Sequence, residues 1–139
     1  MAPAVKTIRF RVRYSDTDQM GTFSSDRALD WFEVGRTAVL RHVGMPYAEV
    51  ERRGVFLPVA EAHVKYLGRA RYDDELEITT TAAMQGRARL RCHCRIVQAD
   101  GGRGVCEGYT IHAFVDQTGR PIRPPQWFLD CLDESEEGT

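Results

Sequence analysis

No apolar run in this 139-residue sequence is long enough to cross a bilayer as a helix, which needs about 20 consecutive apolar residues. Residues Met1 to Lys6 contain no apolar core of the kind an export signal carries, so a cytoplasmic location is expected. Charge of one sign is not in excess either: 19 Lys and Arg against 20 Asp and Glu leave a formal net charge of −1. That balance favours neither a nucleic acid nor a membrane surface as partner. Cysteine is sparse. Cys92, Cys94, Cys106 and Cys131 include no second Cys pair to complete a zinc site, and a chain of this length does not need disulfides. The histidines, His42, His63, His93 and His112, show no His-Glu-x-x-His or comparable spacing. No metal and no cofactor are expected. With no internal repeat and no linker, residues 1–139 read as one domain, with an acidic tail from about residue 133 expected to fray.

What the sequence does contain is a strong change of period. Residues 7–14 alternate Ile8, Phe10, Val12 and Tyr14 with Thr7 and arginines, which predicts a half-buried strand. Ser15 to Gly21 is a polar loop carrying Asp16 and Asp18. From about Ser25 the spacing of Ala28, Phe32, Gly35, Val39 and Val43 predicts one face of a helix, widened by Leu29, Trp31 and Leu40. Ser24 or Ser25 is placed to cap it, and Gly44-Met45-Pro46 to end it. A short helix over 46–53 follows.

The remainder reads as strands over 58–67, 75–84, 87–97 and 103–115, the third having the cleanest alternation. In that strand Cys92 and Cys94 point together into the core. Asp100-Gly101-Gly102 supplies a hairpin turn. In the last strand Val105, Tyr109, Ile111, Ala113 and Val115 are expected to share a face. The order predicts an α+β architecture in which about five antiparallel strands curve around one long helix, the hotdog arrangement. Its edge strands would be open to pairing with a second copy, so a homodimer or homotetramer is expected.

The segment Tyr14-Ser15-Asp16-Thr17-Asp18-Gln19-Met20-Gly21 resembles the Asp-x-Asp-x-x-Gly loop of the 4-hydroxybenzoyl-CoA thioesterase-like family of hotdog proteins. Arg36, late in Trp31-Phe32-Glu33-Val34-Gly35-Arg36, is similar to the arginine ending that family's helix motif. Val64-Lys65-Tyr66-Leu67, Tyr72-Asp73-Asp74-Glu75-Leu76 and Val115-Asp116-Gln117-Thr118-Gly119-Arg120-Pro121 resemble its later strand markers, so the likeness runs over about residues 6–125.

The resemblance implies hydrolysis of an acyl-CoA thioester to an acid and CoA. Asp18 would be the catalytic carboxylate, as nucleophile or as general base. The backbone N–H near Ser25 would hold the oxyanion at the helix start, where amide groups have no helical acceptor. Gly21, Thr22, Phe23, Ser24, Trp31, His63, Arg69 and Arg71 are the candidate substrate-binding residues, with Phe23, Trp31 or Phe56 in an apolar acyl pocket.

The loop continues Gly21-Thr22-Phe23-Ser24-Ser25, where many relatives carry Gly-His-Val-Asn-Asn or Tyr-His. A non-catalytic acyl-CoA or acyl-carrier-binding module is the alternative that this difference motivates. Asp16 and Asp18 could also serve only to cap or turn the chain. Arg87, Arg89, Arg91 and Arg95 form a basic stripe that is either a solvated outer face or a docking strip for CoA phosphates.

Overall fold

The computed structural model describes residues 3–137, with side chains through residue 133. The strands are β1 (Ala4–Arg11), β2 (Val59–Tyr66), β3 (Glu75–Gln85), β4 (Arg89–Gln98) and β5 (Gly104–Ala113). They form one antiparallel sheet in the order β1-β3-β4-β5-β2. Helix α1 (Arg27–His42) lies against β1 and β3 and also touches β4 and β5. Helices α2 (Tyr47–Arg52) and α3 (Gln126–Glu137) complete the chain. This is the hotdog arrangement that the sequence pattern predicts.

The helix can sit close to the sheet because two positions lack a side chain. A Cβ on Gly35 of α1 would overlap the Thr80 hydroxyl and lie 2.9 Å from Ile78 Cδ1. A Cβ on Gly108 of β5 would overlap the His63 carbonyl and lie 3.0 Å from Phe32 Cε2. Between them the amino half of α1 buries Ala28, Trp31 and Phe32 with Leu76, Ile78 and Ile96. The carboxyl half buries Val39 and Leu40 with Val50, Leu90, Phe114 and Phe128. Each large apolar side chain buried in this way stabilises by about 1.5–3 kcal/mol.

A polar chain runs through the middle of the layer. Arg36 donates to Thr110 Oγ1 at 3.4 Å, Thr110 Oγ1 lies 2.8 Å from His112 Nε2, and His112 Nδ1 lies 2.9 Å from the Leu57 carbonyl. Because that carbonyl can only accept, the network assigns the proton to Nδ1, and Nε2 accepts from Thr110. Burial, with the Arg36 charge nearby, pushes His112 down to about 4 and keeps it neutral.

Several expectations need correcting. Strand β1 ends at Arg11 rather than at residue 14. Tyr14 is not a core residue but 79% exposed in a single 3₁₀ turn, because Asp16 Oδ2 accepts the Arg13 N–H at 2.8 Å and bends the chain. Leu29 lies outside the buried stripe of α1 and is 43% exposed. Asp26, not a serine, holds the N-cap position, and it makes no side-chain cap bond. Residues 86–88 form the β3–β4 turn, so Ala88 belongs to no strand.

In β5 the expected face holds for Tyr109, Ile111 and Ala113 but not for Val105. Ile96 pairs with Cys106 but Val97 with Gly104, so Val105 is an extra residue at a bulge. Val105 is buried, and beyond the bulge the buried alternate positions are Cys106, Gly108, Thr110 and His112, with Tyr109 on the opposite face. Helix α3, which the sequence reading does not foresee, carries the backbone as far as Glu137. Phe128 and Leu132 of this helix are in the core. The Phe128 ring meets Phe114 edge-on at 5.2 Å, and the Arg53 guanidinium sits 4.7 Å over Trp127.

Candidate active site

The Asp-x-Asp loop is a small hairpin folded against the start of α1. Thr17 bridges Phe23, and the Asp18 N–H donates to the Thr22 carbonyl at 2.9 Å. At its tip the Gly21 N–H donates to the Asp18 carbonyl at 3.1 Å, and Gly21 takes a positive φ of 79° that most side chains would resist. The Ser24 N–H then donates to the Asp16 carbonyl at 2.8 Å, which joins the loop's beginning to the helix entrance.

The two carboxylates do different work. Asp16 is 1% exposed. It accepts the Arg13 N–H, pairs with the Arg13 guanidinium at 3.2 Å and lies 3.9 Å from Arg27 Nε. Every charge it carries is answered locally, so it builds the loop. Asp18 is exposed; one oxygen, Oδ1, accepts the Met20 N–H at 2.8 Å, and among the described residues no cation pairs with it. An ionised carboxylate with an uncommitted oxygen can attack a carbonyl or take a proton.

The same hairpin runs on into the helix entrance. Arg27 N–H donates to the Ser24 carbonyl at 2.9 Å, while among the described residues the amides of Ser25 and Asp26 donate to no backbone acceptor. Such amides carry partial positive charge and can hold an anion.

A second segment is laid against this hairpin. The Phe23 N–H donates to the Ala70 carbonyl at 2.9 Å, and Thr22 Oγ1 accepts the Ala70 N–H at 3.2 Å. The flanking Arg69 and Arg71, both exposed, are thereby brought next to the loop. Arg69 also lines an open groove of about 1050 Å³ with Arg9, Arg103, Asp73 and Asp100. Exposed apolar side chains cluster on the same two segments: Tyr14 and Tyr72 meet edge-on at 5.8 Å, and Met20 and Leu67 are 74% and 45% exposed.

This sequence matches the model of the thioesterase-like superfamily over residues 12–132. The chain belongs to the thioesterase-like superfamily. It is 38% identical over 69 residues to YneP of Bacillus subtilis, named as a candidate acyl-CoA thioesterase, a match spanning half of each chain. It is 25% identical over 118 residues to the chloroplastic acyl-acyl carrier protein thioesterase ATL3 of Arabidopsis thaliana, covering 85% of this chain and 62% of that one. The chain thus spans about half to two-thirds of the length of these relatives. Its fold superposes on a DHNA-CoA thioesterase from Staphylococcus aureus with a TM-score of 0.84 and 26% identity, covering 96% and 89% of the two chains.

Other candidate residues of this superfamily member fall elsewhere. Phe23 and Trp31 are 6% and 3% exposed and stack on each other at 4.9 Å, so in the single chain they support the loop from beneath. Phe56 bridges Val115 beyond the opposite end of β2 and is not brought to the loop. His63 is not brought to Asp18 either. Its neighbours on β2, Val64 and Tyr66, turn toward the α1 side, while the His63 ring stacks on Tyr109 at 5.4 Å on the outer face. There it lines a hollow of about 240 Å³ with Lys65, Arg91, His93 and Glu107.

The basic stripe lies on the same outer face, with Arg91 4.4 Å over the Tyr109 ring and Arg95 paired to Glu107 at 2.9 Å. Burial raises Cys92 and Cys106 to about 12 and Cys94 to about 11, so these remain thiols and are not nucleophiles. Among the described residues no group of three or more His, Cys, Asp and Glu could hold a metal, and no helix is long and apolar enough to cross a membrane.

Proposed function

We propose that this chain hydrolyses acyl-CoA thioesters to a carboxylic acid and free CoA, with Asp18 as the catalytic carboxylate. The observation that carries the reading is a single hairpin that bears an exposed carboxylate, Asp18, and runs into a helix entrance where the amides of Ser25 and Asp26 have no backbone acceptor among the described residues. In the nucleophilic route an Asp18 oxygen bonds to the thioester carbon. The carbonyl oxygen becomes an oxyanion held by the amides of Ser25 and Asp26, and the C–S bond breaks with release of the CoA thiolate. Water then cleaves the acyl–Asp18 anhydride. In the general-base route Asp18 takes a proton from water, whose oxygen attacks the same carbon, and the proton passes to the departing sulfur. Both routes need the same two groups.

The exposed apolar rim of Tyr14, Met20, Leu67 and Tyr72 supports docking of an acyl-pantetheine arm, and Arg69 and Arg71 support contact with CoA phosphates. A homodimer or a tetramer built from it belongs to the same reading. Strand β2 is an edge strand, paired only with β5 and exposed along nearly all its length. A second copy pairing there would cover Val59 and Tyr66, 50% and 49% exposed, and wall in the mouth beside Ser25. A cytoplasmic site of action fits a CoA substrate.

The test is a panel of aromatic, short-chain and medium-chain acyl-CoAs with a thiol-detecting reagent. Thiol release from at least one member supports the reading. Saturable binding without turnover would favour the acyl-carrier or acyl-CoA binding module, which the absence of His and Asn side chains after Gly21 motivates.

A further inference from the structure

Tyr66, at the end of β2, is 41 residues away in sequence from the helix entrance that it touches. Its hydroxyl donates to the Ser25 carbonyl at 2.6 Å. Its ring stacks on Phe23 at 6.1 Å, Phe23 stacks on Trp31 at 4.9 Å, and Trp31 on Phe10 at 5.3 Å. The phenol therefore stands at the end of an aromatic ladder whose inner rungs are core residues, and it is held by that ladder as well as by its own hydrogen bond.

We propose that Tyr66 is a positioning residue for thioester hydrolysis: its hydroxyl fixes the Ser25 peptide group so that the amides at the entrance of α1 point at the developing oxyanion. This rests on the reading of Ser25 given above. A trans peptide is planar, with its N–H directed opposite to its carbonyl. Anchoring the Ser25 carbonyl from Tyr66 therefore sets the direction of the Asp26 N–H. The preceding unit is anchored in the same way, because the Ser24 carbonyl accepts from Arg27, which sets the direction of the Ser25 N–H.

Two consecutive N–H groups with no backbone acceptor among the described residues are thus held by hydrogen bonds made through their own carbonyls. Donors held before the reaction cost no reorganisation when charge develops, which is where this kind of catalysis gains its rate. The Tyr66 bond also polarises the peptide and strengthens the Asp26 N–H as a donor. Partial desolvation, with Cys106 and Asp26 nearby, raises the phenol's pKa, so it keeps its proton at neutral pH. The aromatic Tyr66 ring could be retained while this one bond is removed, which makes the idea testable.

The experiment is Tyr66→Phe in the full chain. Expected is a fall in kcat of about ten-fold or more with KM changed less than about two-fold and thermal stability unchanged, because the lost interaction matters mainly as the oxyanion forms. The second readout is the infrared carbonyl stretch of a bound carbonyl-labelled acyl-CoA in Asp18→Asn, where turnover is slowed enough to observe the complex. Expected is a band lowered from that of the free thioester in Asp18→Asn, and a return toward the free value when Tyr66→Phe is added.

An equal shift in the single and double variants, or an unchanged kcat in Tyr66→Phe, would overturn the proposal. So would parallel losses of stability, KM and kcat, which indicate a merely structural bond. No shift in Asp18→Asn, with Tyr66 in place, removes the Ser25 oxyanion assignment itself and this proposal with it.

Discussion

The two ends of α1 are held in different ways. At the carboxyl end Val39 and Leu40 are enclosed by α2, α3 and the sheet, and the cluster there consists of interlocked apolar side chains. At the amino end the apolar cluster stops at Phe23 and Trp31, and what lies beyond is a hairpin held by hydrogen bonds to Asp16, Thr22, Ala70 and Tyr66. The first end resists deformation by volume; the second is specified by direction. An end fixed by directed bonds can leave amides and a carboxylate exposed to a ligand without losing their geometry, which is what a reaction centre requires.

Substitutions that separate the two ends should separate stability from activity. The largest stability loss is expected from Phe128→Ala at the packed end. Removing a fully buried aromatic ring should cost about 3–5 kcal/mol, read as a lowered denaturant midpoint, with kcat per folded molecule little changed. Asp16→Ala at the other end should cost about 1–3 kcal/mol because it leaves the Arg13 N–H without its acceptor, while the Arg13 guanidinium turns to water and Arg27 keeps Asp30, and here activity should fall together with stability. If the variant keeps full activity while destabilised, the hairpin's geometry does not depend on Asp16.

A pH series gives the next effect. His112 is neutral in the folded chain and its pKa is depressed from 6.5 to about 4. The unfolded chain takes up that proton first as the pH drops. The stabilisation is therefore complete above pH about 6.5 and is lost as the pH falls toward 4, by roughly 2–4 kcal/mol over that window. Thermal melts of wild type and His112→Gln should differ in slope there and run parallel above it. The smallest effect belongs to Arg95→Ala on the outer face, an exposed pair with Glu107 that should change stability by less than about 1 kcal/mol. A larger loss would mean that the outer face is covered in solution.

Much of this division is visible in the sequence and some is not. Strands β3 and β4 and the apolar stripe of α1 are legible because each buries one face and the period repeats over many residues. The Asp100-Gly101-Gly102 turn is legible because both glycines take positive φ. Helix α3 is hidden by its acidic composition, although Pro124-Pro125 before it and the spacing of Phe128 and Leu132 are signals of a helix start and a buried stripe. The face of Val105 in β5 is not legible, because a single inserted residue there reverses every later side chain.

At the candidate site, the polar loop and its run into the helix start are legible from the motif. The opposite fates of Asp16 and Asp18 are not, since they depend on where Arg13 and Arg27 end up in space. Tyr66 also escapes notice: its parity on β2 points it inward, but nothing in the sequence says that it meets the Ser25 carbonyl.

The most direct measurement is single-turnover thiol release at saturating acyl-CoA for wild type and Asp18→Asn. Among the described residues the exposed Asp18 side chain makes only the Met20 bond, so the variant should fold and bind normally. Expected is unchanged acyl-CoA affinity with a rate lower by about 100-fold or more. A rate within about two-fold of wild type would contradict the assignment of Asp18 as the catalytic carboxylate.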